Sequence, residues 1–541
     1  MSKIVRGTLL LTGATFLSKF LGMIYVVPFN SLVGVKGGTL FNTAYIPYSI
    51  FLSFSTVGVP LAVSKFVSKY NSLGDYRTGM RMFRAGMILM FIMGVICFSV
   101  MFFSAEWLAG LFISGKDAKI VTVSDVTLVI RLVSFALLII PSMSIVRGFF
   151  QGYESMGPTA VSQVTEQIVR IFFILAGSVV ILYVLDGSVV SAVGFSTFSA
   201  FIGAVASGIV LFIYWTKRKA NIEQKIEQQT VSHHVPLKHL FQELFRYAGP
   251  FVLVGLATSL YQLVDLITFD RAMLQAGYRE EIRVMTYAAF NFYGHKLVII
   301  PGTIAIGLSL AIIPALTASF VQHKRQELIH QINQALQIIL VIVIPAVCGL
   351  SILADVSYGS LFGLSDIDIN GNILRWYAPV GLLFAMFTVT SSVLQGINEQ
   401  RFAVISLSAG LLMKILFNTI LIHSFGAIGA VIATGLASGT AVVLNMWRIR
   451  SAINFSFKQT FKRTALVLIF VLFMLIGVMI VKGLLGIFLD YTESRAAAII
   501  TLISCVLVGA GIYLWFAYQS TLLERTLGNR IRVLDRFFKK R

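Results

Sequence analysis

Residues 150–173 read FQGYESMGPTAVSQVTEQIVRIFF, and residues 394–417 read LQGINEQRFAVISLSAGLLMKILF. Each stretch opens on a Gln-Gly turn, Gln151-Gly152 or Gln395-Gly396. Each then enters an apolar helix with a basic residue at the same place, Arg170-Ile171 or Lys414-Ile415, at an offset of 244. Weaker matches follow in the same order: ATFLSK at 14–19 with ATSLYQ at 257–262, and Phe41-Asn42 with Phe290-Asn291. Gly58-x-x-Leu61-Ala62 likewise recurs as Gly307-x-x-Leu310-Ala311. These matches point to a duplicated chain.

Composition sets the solvent in which the copies fold. The chain is 57% hydrophobic and 12% charged, with a mean hydropathy of +0.87. Its apolar residues fall in runs of about 20, the length a helix needs to cross ~30 Å of hydrocarbon. No short alternating pattern supports a transmembrane β-barrel. The expected fold is all-α and polytopic, with fourteen transmembrane helices from 8–31 to 496–518. The first run follows Lys3 and Arg6 without a small-residue cleavage site, so it reads as a retained helix. The repeat offset covers six spans, an even number, so both copies share one orientation. They form two six-helix lobes related by a pseudo-twofold axis along the membrane normal, plus two C-terminal helices. The expected domains are an N-lobe at 1–215, a basic linker at 216–246, a C-lobe at 247–447, spans 13 and 14 at 448–518 and a basic tail at 519–541.

Of the 43 Lys and Arg residues, 29 fall on the N-terminal side of the membrane, ten on the other and four inside spans. The positive-inside rule therefore places both termini in the cytoplasm. The net charge of +20 reads as anchoring to anionic lipid, not as a nucleic-acid surface. Cys97, Cys348 and Cys505 lie in apolar runs without metal-ligand spacing and read as packing residues.

The charges inside spans carry the chemistry. Lys19, Glu166, Arg170, Asp265, Lys296 and Lys414 sit at membrane depth, where each costs about 2.5–3.5 kcal/mol on insertion scales. Two readings stay open for Glu166 and Arg170: a self-neutralising i, i+4 packing pair, or a functional pair that lines the N-lobe cavity or breaks and re-forms as the lobes rock. Asp265, Asn418 and Thr434 form an oxygen-rich set for sodium or a proton, with the Lys414 ammonium as the alternative occupant. Pro28, Pro47, Pro60, Pro141, Pro301 and Pro314 interrupt spans 1, 2, 4 and 8 and permit kinks.

RGFFQGYESMGPTAVSQVTEQIVRI, with ATFLSKFLG in span 1, resembles the MOP superfamily of exporters. Within it the chain is similar to the polysaccharide-transporter branch of SpoVB/YtgP type, which includes MurJ-type lipid II flippases. The resemblance covers essentially the whole chain. It implies a V-shaped cavity between two lobes and flipping of an undecaprenyl-pyrophosphate-linked cell-wall precursor by alternating access. It also implies a lipid-tail groove at spans 13 and 14, a bacterial plasma-membrane location, and cell-wall synthesis or division proteins as partners of a monomer. Lys19 matches a cavity position by its Ser-Lys-x-Leu-Gly context, and Tyr25 stands near where another basic residue of the pattern falls. Span 2 offers no basic residue at depth, so the phosphate clamp departs from the arginine-lined form. The expected cargo-facing set is Lys19, Tyr25, Glu166, Arg170 and Lys296.

A pyrophosphate crossing hydrocarbon needs fixed cations in a water-accessible cavity, which the positive excess supplies. No cofactor is expected; Na+ or H+ coupling, or the membrane potential, would drive the cycle. DIDING at 366–371 matches half of a calcium loop but has Tyr377 where the bidentate Glu belongs, so it reads as a polar turn. The chain has no nucleophile triad or phosphate-cradling loop, which argues against ATP-driven transport by this chain alone. The Asp-x-Asp of a metal-dependent glycosyltransferase lies here on a short loop with no catalytic domain, so an enzyme is not expected. The alternatives are a cation-coupled multidrug exporter of the same superfamily, which favours an acidic cavity, or a non-transporting scaffold of cell-wall assembly.

Overall fold

The computed structural model describes residues 13–14, 17–18, 20–22, 24–56, 59–113, 120–153, 155–229, 236, 249 and 252–523. Lys19 and eight other residues of the expected span 8–31, His233-His234 and the tail beyond Leu523 lie outside the described residues. The described chain is helical throughout and divides into two compact units.

The first unit holds α1 (Val26–Thr56), α2 (Val59–Ser72), α3 (Tyr76–Phe103), α4 (Ala105–Phe112), α5 (Val123–Ser134), α6 (Ile140–Gly152), α7 (Gly157–Val179) and α8 (Val189–Glu227). The break expected between residues 31 and 41 is not a loop. Within α1 two helices meet at a kink inside that interval, at Gly34, with φ 63° and ψ −168°. A β-carbon makes that conformation prohibitive, so only glycine enters it readily. α8 spans 39 residues, so the expected linker is helix from its start to Glu227. The unit's core joins α2, α3, α6 and α8 through Phe66, Phe83, Phe149 and Ile222, with Trp215 stacked on Phe83.

Two further segments belong to this unit: α9 (Ala257–Gln275) up to Leu274, and residues 279–285 at the start of α10 (Glu280–Tyr287). Three bonds hold them there, and a fourth joins the two segments to each other. Asp270 accepts from buried Arg283 at 2.8 Å, and Ser49 donates to Ser259 at 3.1 Å. Thr39 donates to the Val284 carbonyl at 3.3 Å, and the Ile120 N–H to Glu280 at 2.8 Å. The sequence-based division assigns these segments to the second lobe; it follows the hydropathy runs and cannot register bonds between residues 160 to 245 apart.

The second unit holds α11 (His295–Val321), α12 (Arg325–Ile352), α13 (Ala354–Phe362), α14 (Ile367–Tyr377), α15 (Val380–Gly396), α16 (Gln400–Phe425), α17 (Ala427–Ile453), α18 (Lys458–Phe488) and α19 (Arg495–Gln519). A π-helical turn, Ala288–Gly294, precedes α11. α18 and α19 pack on each other and on α12 and α13. Tyr513 donates to the Val341 carbonyl at 2.6 Å. Arg495 donates to the Ser360 and Leu361 carbonyls at 3.0 Å, meeting the negative end of α13. DIDING is not a turn: Asp366 takes a left-handed conformation and the rest starts α14.

Eleven helical segments among the described residues are long and apolar enough to cross a membrane. Many large apolar side chains on them are exposed, among them Phe91, Phe172, Phe212, Ile420, Leu472 and Leu507. In water such a surface would aggregate; in lipid it is the matched face.

Candidate functional site

The Gln-Gly stretch places its charges on α7, which packs along α8. Gly203 on α8 permits this approach, since a Cβ there would lie 2.8 Å from the Glu166 carbonyl oxygen and 3.1 Å from Arg170 Cβ. Glu166 does not pair along its own helix with Arg170. Its carboxylate accepts from Arg147 on α6 at 2.7 Å. Arg147 also donates to Ser162 at 3.0 Å and Ser207 at 2.8 Å. One guanidinium thus ties three helices, and the planar fork suits that task as lysine would not. The i, i+4 pairing read from the sequence is corrected on this point. Arg147 is the residue that reading missed, although it opens the RGFFQG block; its place at a span end makes it look like an interfacial charge.

Freed from Glu166, Arg170 turns toward α1. Its guanidinium lies over the Tyr45 ring, 5.4 Å from the centroid, and donates to the Tyr45 hydroxyl. Tyr25 and Tyr48 lie close enough to interact with it electrostatically. Nε is buried without a hydrogen-bond partner, and Arg170 forms no ion pair among the described residues. Tyr25 and Arg170, both expected from the sequence, therefore come together. Tyr45 and Tyr48 complete the cage; their spacing around Pro47 in AYIPYS is the signal that would have found them.

The second unit repeats this plan with other atoms. Lys414 on α16 is fully buried and lies 5.9 Å from the Phe290 centroid. Its ammonium donates to Thr434 Oγ1 at 2.5 Å, and Asn418 sits one turn along α16. Counted from the starts of α8 and α17, Thr434 occupies the place of Ser196, which bonds Ser178 at 2.9 Å. By the same count Asn445 stands for Ser207. Asn445 bonds Ser406, the repeat mate of Ser162, at 2.5 Å. It also donates to Thr390 and Ser391 at 3.1 Å. Both units therefore have a polar node joining three helices, charged in the first and neutral in the second.

Of the remaining expected residues, Asp265 is buried on α9 and belongs to the first unit, while Lys414, Asn418 and Thr434 belong to the second. Lys296 is half-buried at the start of α11, beside His295, whose Nδ1 lies 2.7 Å from the Tyr377 hydroxyl. Among the described residues no three His, Cys, Asp or Glu side chains converge as metal ligands.

Lipid-facing spans around internally bonded polar groups define a polytopic helical membrane protein, and comparison with known proteins gives that class its members. A solved structure of lipid II flippase MurJ in an inward closed conformation matches with a TM-score of 0.67 at 17% identity, over 96% of this chain and 99% of that one. An inward-facing multidrug resistance MATE family transporter of the MOP superfamily matches with a TM-score of 0.61 at 16% identity, over 80% and 99%. Both show a transporter fold. In sequence, lipid II flippase MurJ of Bacillus subtilis (strain 168) is 44% identical over 541 residues, covering 100% of this chain and 99% of that protein. The family model described as polysaccharide biosynthesis protein matches residues 4–320, and the chain belongs to that family, as a relative of MurJ.

Proposed function

We propose that this chain flips lipid II, an undecaprenyl-pyrophosphate-linked cell-wall precursor, from the inner to the outer leaflet of a bacterial plasma membrane by alternating access. The observation that carries the cargo assignment is Arg170, a membrane-depth cation with a tyrosine cage and no paired carboxylate among the described residues. A guanidinium with unspent N–H donors can grip a phosphate bidentately, and low local dielectric strengthens the contact. The named activity of the 44% identical relative supports the same reading.

In this reading Lys19 and Lys296 add further cationic charge along the cargo path, and Tyr25 orients Arg170. The exposed apolar faces of α18 and α19 take the lipid tail. Lys414 supplies the cation at Thr434, so the membrane potential or a proton drives the cycle in preference to sodium at that oxygen. The chain works as a monomer with both termini cytoplasmic, alongside cell-wall synthesis or division proteins. A multidrug carrier of cations would need the opposite charge at Arg170.

The test is growth of a host stripped of its own lipid II flippases. The unsubstituted chain should restore growth, while Arg170→Met and Lys19→Ala should fail at normal expression and Arg170→Lys should rescue in part. Failure of the unsubstituted chain would overturn the reading. Full rescue by Arg170→Met would remove that residue from the cargo path.

A further inference from the structure

A recess of about 510 Å3 lies in the second unit where α12 ends and α14 and α18 pass it. It is lined by Ser351, Ile352, Arg375, Met479, Lys482, Gly483 and Tyr491. Lys482 lies six residues before the end of α18, about 9 Å along the helix axis at 1.5 Å per residue. Its neighbours Met479, Ile480 and Leu484 are exposed apolar residues, so this part of α18 is lipid-facing. The ammonium lies 5.1 Å from the Tyr491 ring centroid and forms no ion pair among the described residues. Asp490, the nearest acid in sequence, is engaged elsewhere: its Oδ1 accepts from the Thr492 N–H at 2.8 Å and hydroxyl at 2.6 Å.

Arg375 faces the same recess. One of its N–H groups donates to Asp355 at 2.5 Å, which fixes the guanidinium and leaves other donors of its fork unspent. Asp355 reaches that position because α14 carries Gly371 there; a Cβ would lie 2.3 Å from Asp355 Oδ1. The glycine of DIDING thus serves the arginine. The recess combines an unpaired lysine, a positioned arginine and a tyrosine hydroxyl at the depth where a long side chain brings its charge to the headgroup layer.

We propose that this recess binds the phosphate of an anionic phospholipid headgroup in the leaflet reached by the α12 and α18 C-termini. One excess positive charge faces it, matching a phosphodiester monoanion. The acyl chains would lie along the exposed face of α18, continuous with the recess. The lipid acts as a bound ligand whose phosphate site is separate from Arg170, and its binding goes beyond the transport reading. Retention is measured without transport, so either can fail alone.

The full-length protein is placed in nanodiscs of equal phosphatidylglycerol and phosphatidylcholine, and the lipids it retains on release are counted by native mass spectrometry. Wild type should retain phosphatidylglycerol preferentially. Lys482→Met should lower that preference about fivefold, the worth of one basic residue near an anionic surface, and Lys482→Arg should keep it. Arg375→Gln should lower it further, with thermal unfolding confirming the fold. A large excess of inorganic phosphate should leave the lipid in place. Displacement by phosphate would mean that the site takes the free ion, and would overturn the lipid assignment. An unchanged preference in Lys482→Met would overturn the site and leave Lys482 a snorkelling anchor.

Discussion

Glu166 is present because Arg147 is. The node of the first unit uses a cation to join α6, α7 and α8, and a cation held between helices needs a counter-charge. The second unit does the same with Asn445, and Gly410 stands where Glu166 would be. Glu166→Gln should therefore lower stability by about 3 kcal/mol, toward the low end for a broken interior pair because both side chains retain some exposure. Arg147→Ser with Glu166→Gly copies the neutral pattern and should recover more than half of that loss in thermal unfolding. A double variant as unstable as the single one would show that the node needs its charge. Arg170→Met breaks no ion pair and should unfold near the wild-type temperature while losing transport. The repeated basic position was legible from the sequence; its partner was not. Spacing of four residues is equally satisfied by Glu166–Arg170 on one helix, and only the direction of α6 decides for Arg147.

At the level of helices, two glycines set geometry that no hydropathy pattern contains. Gly34 bends α1 at φ 63° and ψ −168°, and Gly34→Ala should cost about 1–3 kcal/mol in backbone strain. Gly203 lets α8 lie against the α7 backbone between Glu166 and Arg170, so Gly203→Val must separate the helices or move the node. It should lower stability by about 1–3 kcal/mol, and the Glu166→Gln loss should shrink in its background because the two sites share a partner. Additive losses would mean that the helices absorb the added side chain without disturbing the ion pair. Span lengths and most span positions were readable because lipid imposes them. The π-helical turn at Ala288–Gly294 and the helical start within DIDING were not, since both depend on tertiary packing around Tyr377 and Asp355.

The whole molecule is a duplicated membrane transporter fold whose two copies have diverged in charge. The duplication was visible in the Gln-Gly turns and in Arg170 against Lys414. The grouping of α9 and the start of α10 with the first unit was hidden, because it rests on contacts such as Ser49–Ser259 and Thr39–Val284 that follow no sequence period. In the second copy the basic group is fully buried and bonded to Thr434. In the first it faces tyrosines with a donor to spare. On that difference rests the proposal that an anion is met in the first copy. The most direct measurement is exposure of lipid II on the outer face of cells in which this chain is the sole flippase and is then depleted. Outer-face lipid II should fall as the chain is lost and return with wild type but not with Arg170→Met. Lipid II that stays accessible on the outer face without the chain would contradict the account.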